Sequence, residues 1–98
     1  MALDIIVQNM NHEEKFRVSD DPQQTLYLLC EAQPRDRIVR GIYRDGDTMF
    51  NTWQLKLLLE QTEDIQVEDA AQRAALDQLR HLSNLAIRAN GYLMFIGD

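Results

Sequence analysis

Cysteine, proline, glycine and tryptophan are all scarce in this 98-residue chain, at one, two, four and one copies, and ten lysines and arginines face sixteen aspartates and glutamates. The lone Cys30 excludes an internal disulfide, and its setting in Leu26-Tyr27-Leu28-Leu29-Cys30 suits a small buried hydrophobe better than a reactive thiol. The few glycines form neither G-x-G-x-x-G nor G-x-x-x-x-G-K, so nucleotide binding has no support. A formal charge of −6 argues against general affinity for a phosphate backbone, and direct nucleic-acid binding is not expected. The longest apolar runs, Leu57-Leu58-Leu59 and Leu93-Met94-Phe95-Ile96, fall far short of the roughly 18 residues of a membrane span. The polar N-terminus lacks a signal-peptide pattern, so no membrane association is expected, and with one cysteine the expected setting is cytoplasmic.

What is present is an ordinary globular balance, 45% hydrophobic and 27% charged, enough for one core in a single domain over residues 1–98. Leu3, Ile5 and Val7 alternate with Asp4, Ile6 and Gln8, and after Asn9-Met10-Asn11-His12 a second alternation sets Phe16 and Val18 against Lys15 and Arg17, the pattern of a β-hairpin. Thr25–Glu31 fits a short helix capped from Asp21 or a strand. The apolar Arg37–Arg44 stretch after the turn cluster Ala32-Gln33-Pro34-Arg35-Asp36 favours the strand, which would pair with it in a second hairpin. The clearest local signal is Phe50-Asn51-Thr52-Trp53-Gln54-Leu55. Asn51 and Gln54 make a capping box, Phe50 and Leu55 a hydrophobic staple, and the helix runs to about Thr62. From about Glu68, Ala71, Ala75, Leu79, Leu82, Ala86 and Ala89 recur at helical spacing, with Asn90-Gly91 as a left-handed stop. Tyr92–Ile96 is apolar almost throughout and reads as an interior strand. The expected fold is α+β: a mainly antiparallel sheet of about five strands with two helices from the C-terminal half packed on one face.

Few residues carry chemistry. His12-Glu13-Glu14 and His81 lack convergent ligands, Asp45-Gly46-Asp47 has the makings of a turn without the register of a calcium loop, and no cofactor or metal is implied. Arg35, Arg37, Arg40 and Arg44 are interleaved with Asp36, Asp45 and Asp47, which reads as a salt-bridged surface. Glu60, Glu63, Asp64, Glu68 and Asp69 cluster between the two helices. They read either as a solvated helix connection or as an acidic ridge, with Asp45 and Asp47 added, that steers and docks a basic protein. Trp53 and Tyr92 are candidate anchors for such an interface, although a tryptophan in the first turn of an amphipathic helix more often packs at the core margin.

The stretch Tyr43-Arg44-Asp45-Gly46-Asp47-Thr48-Met49-Phe50-Asn51-Thr52-Trp53-Gln54-Leu55, with the ending Tyr92-Leu93-Met94-Phe95-Ile96-Gly97-Asp98, resembles small uncharacterised bacterial proteins, some of them immunity proteins of toxin–immunity systems. The resemblance implies a bacterial cytosolic protein that blocks a cognate toxin, such as a basic nuclease, by stoichiometric binding. It carries no catalytic motif. The alternatives are an adaptor that binds another host protein or itself through an apolar face, and a small enzyme built on His12 or His81.

Overall fold

A computed structural model describes residues 3–97, so Asp98 at the end of the second resembling segment lies outside it. The class is α+β: β1 (Asp4–Gln8), β2 (Glu14–Ser19), α1 (Thr25–Glu31), β3 (Asp47–Phe50), α2 (Thr52–Gln61), α3 (Ala70–Arg88) and β4 (Tyr92–Ile96), with short 3-10 turns at Ile38–Gly41 and Thr62–Asp64. The four strands form one sheet in the order β2-β1-β4-β3, every neighbouring pair antiparallel. Tyr92–Ile96 is an interior strand, as its apolar run requires.

Two of the expected strands are not strands. Thr25–Glu31 is helical because Leu26, Leu29 and Cys30 recur at helical spacing and are buried together, while Leu28 is half exposed. Its first N–H groups find acceptors in the preceding acids: Thr25 donates to Asp21 Oδ1 (2.8 Å), Leu26 to Asp20 Oδ1 (3.0 Å) and Tyr27 to Asp20 Oδ2 (3.0 Å). Within Arg37–Arg44, Val39 and Ile42 are buried three residues apart, the spacing of a 3-10 turn rather than a strand. The fourth strand is instead the four-residue β3, directly before α2.

The remaining elements follow their local chemistry. Asn51 Oδ1 accepts from Gln54 N–H and Gln54 Oε1 from Asn51 N–H, both at 2.9 Å, which fixes the start of α2. Asp69 caps α3, whose far end closes with Asn90 N–H donating to the Ile87 carbonyl and Gly91 N–H to that of Ala86. The left-handed residue there is Asn90 (φ 53°), not Gly91. Gly91 is required for a different reason: a Cβ on it would lie 1.8 Å from the Gln8 carbonyl oxygen.

The helices share one face of the sheet. Ile5, Val7, Phe50, Leu93 and Phe95 meet Leu26 and Cys30 of α1, Leu55 and Leu58 of α2, and Leu79, Leu82 and Ala86 of α3 in a single core. The Phe50 and Phe95 rings meet edge-on, 5.7 Å apart. Burying each large side chain contributes about 2 kcal/mol, and this shared core orients the surfaces described next.

Candidate functional site

The connection between α2 and α3 is a rigid corner. Arg80, from the middle of α3, donates to the Leu59 carbonyl (3.0 Å) and to the buried Thr62 hydroxyl, which itself donates to the Leu59 carbonyl (2.8 Å). Gln61 Oε1 accepts from Ile38 N–H at 2.8 Å and ties the corner to the 3-10 turn. Asp69 Oδ1 accepts from Gln72 N–H, and Gln72 Oε1 from Glu68 N–H, both at 2.8 Å. Arg80 Nη1 therefore points inward, to a helix-end carbonyl and a hydroxyl oxygen.

Glu60, Glu63, Asp64, Glu68 and Asp69 are all exposed on this corner. Among the described residues, only Asp64 is ion-paired, with Arg37 at 3.8 Å, while Asp69 gives one oxygen to its helix cap. Nearby Arg73 faces Asp77 on its own helix at 4.0 Å. Among the described residues Glu60, Glu63 and Glu68 form no ion pair within 4 Å, and Glu63 shares a cleft with Arg73 and Arg80.

The other three candidates lie elsewhere. Trp53, in the first turn of α2, is 73% exposed, well beyond the core margin. At about 1.5 Å per residue it stands roughly 15 Å along the helix axis from Glu63. Asp45 precedes β3. Asp47 opens that strand opposite Ile96, on the sheet face turned away from the helices, because its neighbours Thr48 and Phe50 stand opposite Phe95 and Leu93 of the core. The eight residues therefore do not form one site: five acids share a corner of the helix layer, while Asp45, Asp47 and Trp53 lie apart from it.

The first-turn residues considered for other chemistry are used structurally, and His81 is exposed on α3. His12 adopts φ 63°, stacks on Tyr92 at 4.2 Å and shares a hydrogen bond with Gln8 Oε1 at 3.1 Å. Bonds to Asn9 and to Arg17 hold the Glu13 and Glu14 carboxyls below their ordinary range. Among the described residues no group of three or more His, Cys, Asp or Glu side chains is arranged to hold a metal. Burial, with Asp20 adding to it, pushes the Cys30 thiol up to about 12. Three clefts of about 260, 310 and 270 Å³ are lined without a histidine. Of the four arginines, Arg37 pairs with Asp36 and Asp64, whereas Arg40 donates to the Gln33 carbonyl (2.7 Å), Arg44 lies 5.5 Å over the Tyr27 ring, and Arg35 is exposed with no ion pair among the described residues. The salt-bridged surface read from sequence thus reduces to Arg37.

One group escaped the sequence reading. Ile6 is 3% exposed yet stands outside the helix-covered core, opposite Arg17 on one side and Met94 on the other. The available signal was the unbroken Ile5-Ile6-Val7, one apolar residue too many for a strand with a single buried face. No family model matches the chain, and no curated protein or solved structure gives a significant match to it. No helix among the described residues is long and apolar enough to cross a membrane.

Proposed function

We propose that this chain is a protein-binding module of the immunity type, which neutralises a basic partner by stoichiometric occlusion in the cytoplasm and performs no catalysis itself. The observation that carries this reading is the α2–α3 corner, where five exposed acids share one ion pair. Such a surface raises the encounter rate with a basic protein and offers carboxylates where a nuclease would hold phosphate. The test is capture of the tagged protein's partner from its native cells, expression of that partner alone, and stopped-flow association at low salt. A toxic partner, rescued by co-expression, with its association rate falling about tenfold or more for Glu60→Lys, Glu63→Lys and Glu68→Lys combined, supports the reading. A harmless partner or an unchanged rate refutes it. These three positions replace charge without touching the Asp69 cap or the Asp64–Arg37 pair.

A second reading, an adaptor that docks another host protein through apolar contacts, is favoured by one observation: Trp53 is a large aromatic exposed on a rigid helix. Insensitivity of partner binding to the corner charges, with strong sensitivity to Trp53→Ala, selects it.

A further inference from the structure

The turn that carries α3 into β4 holds the chain's one Asn-Gly pair, Asn90-Gly91, whereas the other asparagines precede methionine, histidine, threonine and leucine. Before a glycine, the next peptide nitrogen can attack the asparagine side-chain carbonyl carbon with the least steric hindrance, a source of the heat lability of asparagine. Asn90 is exposed and stands at φ 53°. Gly91, by contrast, is buried and tied at both ends. Its N–H donates to the Ala86 carbonyl (2.9 Å), its carbonyl accepts from the Thr52 hydroxyl (3.4 Å), and a Cβ on it would lie 1.8 Å from the Gln8 carbonyl oxygen. In the folded chain the nucleophile of the pair is therefore occupied, while the side chain it would attack is open to water.

We propose that Asn90 is a spontaneous deamidation site that the fold holds closed, and that the reaction runs through the opened α3–β4 turn. Once the Gly91 N–H leaves Ala86, its nitrogen bonds to Asn90 Cγ and the Cγ–Nδ2 bond breaks. The N–H proton ends on the departing ammonia, and a succinimide ring remains. Water then opens the ring at either carbonyl to give aspartate or isoaspartate. In sum one water is consumed and one ammonia released, with no change of oxidation state. Either product hinders reclosure. Aspartate adds a carboxylate at the end of α3, where the last carbonyls already concentrate negative charge. Isoaspartate adds a methylene to the main chain inside the turn, so the Gly91–Ala86 bond, the close approach to Gln8 and the pairing of Tyr92 with Gln8 no longer fit together. Because β4 lies between β1 and β3, with Leu93 and Phe95 in the core, a loss of that register reaches the centre of the fold. The turn opens and closes reversibly until it reacts, and not afterwards.

The experiment incubates the whole chain in mildly alkaline buffer, folded and across a urea series to full unfolding, and follows the tryptic peptide Ala89–Asp98, whose only asparagine is Asn90, by mass spectrometry. Deamidation of that peptide is expected to be at least about tenfold slower in the folded chain than in the unfolded one. Below the unfolding midpoint its rate should rise with urea in step with hydrogen exchange at the Gly91 amide. The purified isoaspartate form should unfold at lower urea than fresh protein. Asn90→Gly, which keeps the left-handed turn and removes the reacting amide, should fold normally and leave the peptide's mass constant. Equal rates in the folded and unfolded chains overturn the proposal, because the fold then gives no protection. An Asn90 that does not react in the unfolded chain also overturns it, as does an isoaspartate form as stable as the fresh protein.

Discussion

Replacing Asp20 by alanine removes at once the acceptor of its neighbour Asp21 N–H and of the α1 donors Leu26 and Tyr27. Leu26 is 1% exposed and its N–H, 3.0 Å from Asp20 Oδ1, has no route to water; leaving it unpaired costs about 1–3 kcal/mol. Tyr27 is half-buried and its N–H, 3.0 Å from Oδ2, can recover part of its loss from solvent, for a further cost of about 1 kcal/mol. The total is about 2–4 kcal/mol, which for a chain of this size lowers the melting temperature by roughly 10–20 °C. Asp20→Asn keeps one acceptor oxygen and should lose about half as much. Urea titration followed by circular dichroism gives both values, and amide exchange across Thr25–Glu31 shows whether α1 frays before the remainder unfolds. A loss below about 0.5 kcal/mol for Asp20→Ala would refute the claim that this carboxylate decides the helical state of the segment.

Gly91→Ala forces a Cβ to within 1.8 Å of the Gln8 carbonyl oxygen and 2.8 Å of Asn9 backbone atoms, so a loss of about 3 kcal/mol or more is expected in the same titration; a neutral result would show that the approach of β1 to the α3–β4 turn is loose. Cys30, 1% exposed and with its thiol pushed up to about 12, should resist a disulfide reagent in the native protein at pH 8 and react stoichiometrically in urea, and prompt labelling of the folded chain contradicts the burial. Asp21 and Glu14 have carboxyls lowered by Thr25 and by Arg17, so each contributes stability above its ordinary value of 3.8 or 4.5 that is lost as pH falls through the depressed native value. The urea midpoint should therefore drop on going below pH 4.5, less steeply in Asp21→Asn, and a midpoint that holds to about pH 3 argues against both contacts. Trp53→Ala should leave stability within about 0.5 kcal/mol because the ring is solvent-facing, and a large loss would show that it packs on the fold.

Legibility in the sequence tracked how local the causes are. The α2 start was readable because Asn51 and Gln54 satisfy each other within one turn, and α3 because its apolar stripe is long enough to reveal its period. In Thr25–Glu31 the helical set Leu26, Leu29, Cys30 is filled in by Tyr27 and Leu28, and the acids that cap it stand several residues upstream, so the segment mimics a strand. β3 has only four residues, and its pairing with β4, at the far end of the chain, is what makes it a strand. The acidic corner was visible as five acids within Glu60–Asp69, but its separation from Asp47 and Trp53 depends on the direction of α2 and on which sheet face Asp47 takes.

That direction follows from the cap. With the capping box fixing where α2 begins and Leu55 and Leu58 committed to the core, Trp53 stands two positions, about 200°, around the helix from Leu55 and faces outward. The same commitment runs the helix toward Arg80, which holds the Leu59 carbonyl, and leaves Glu60 and Glu63 at the surface. At the other end, Phe50 in the core sets the register of β3 and turns Met49 and Asp47 to the sheet face away from the helices. One capped junction therefore separates an aromatic side chain, the sheet face of Met49 and Asp47, and an acidic corner onto different surfaces.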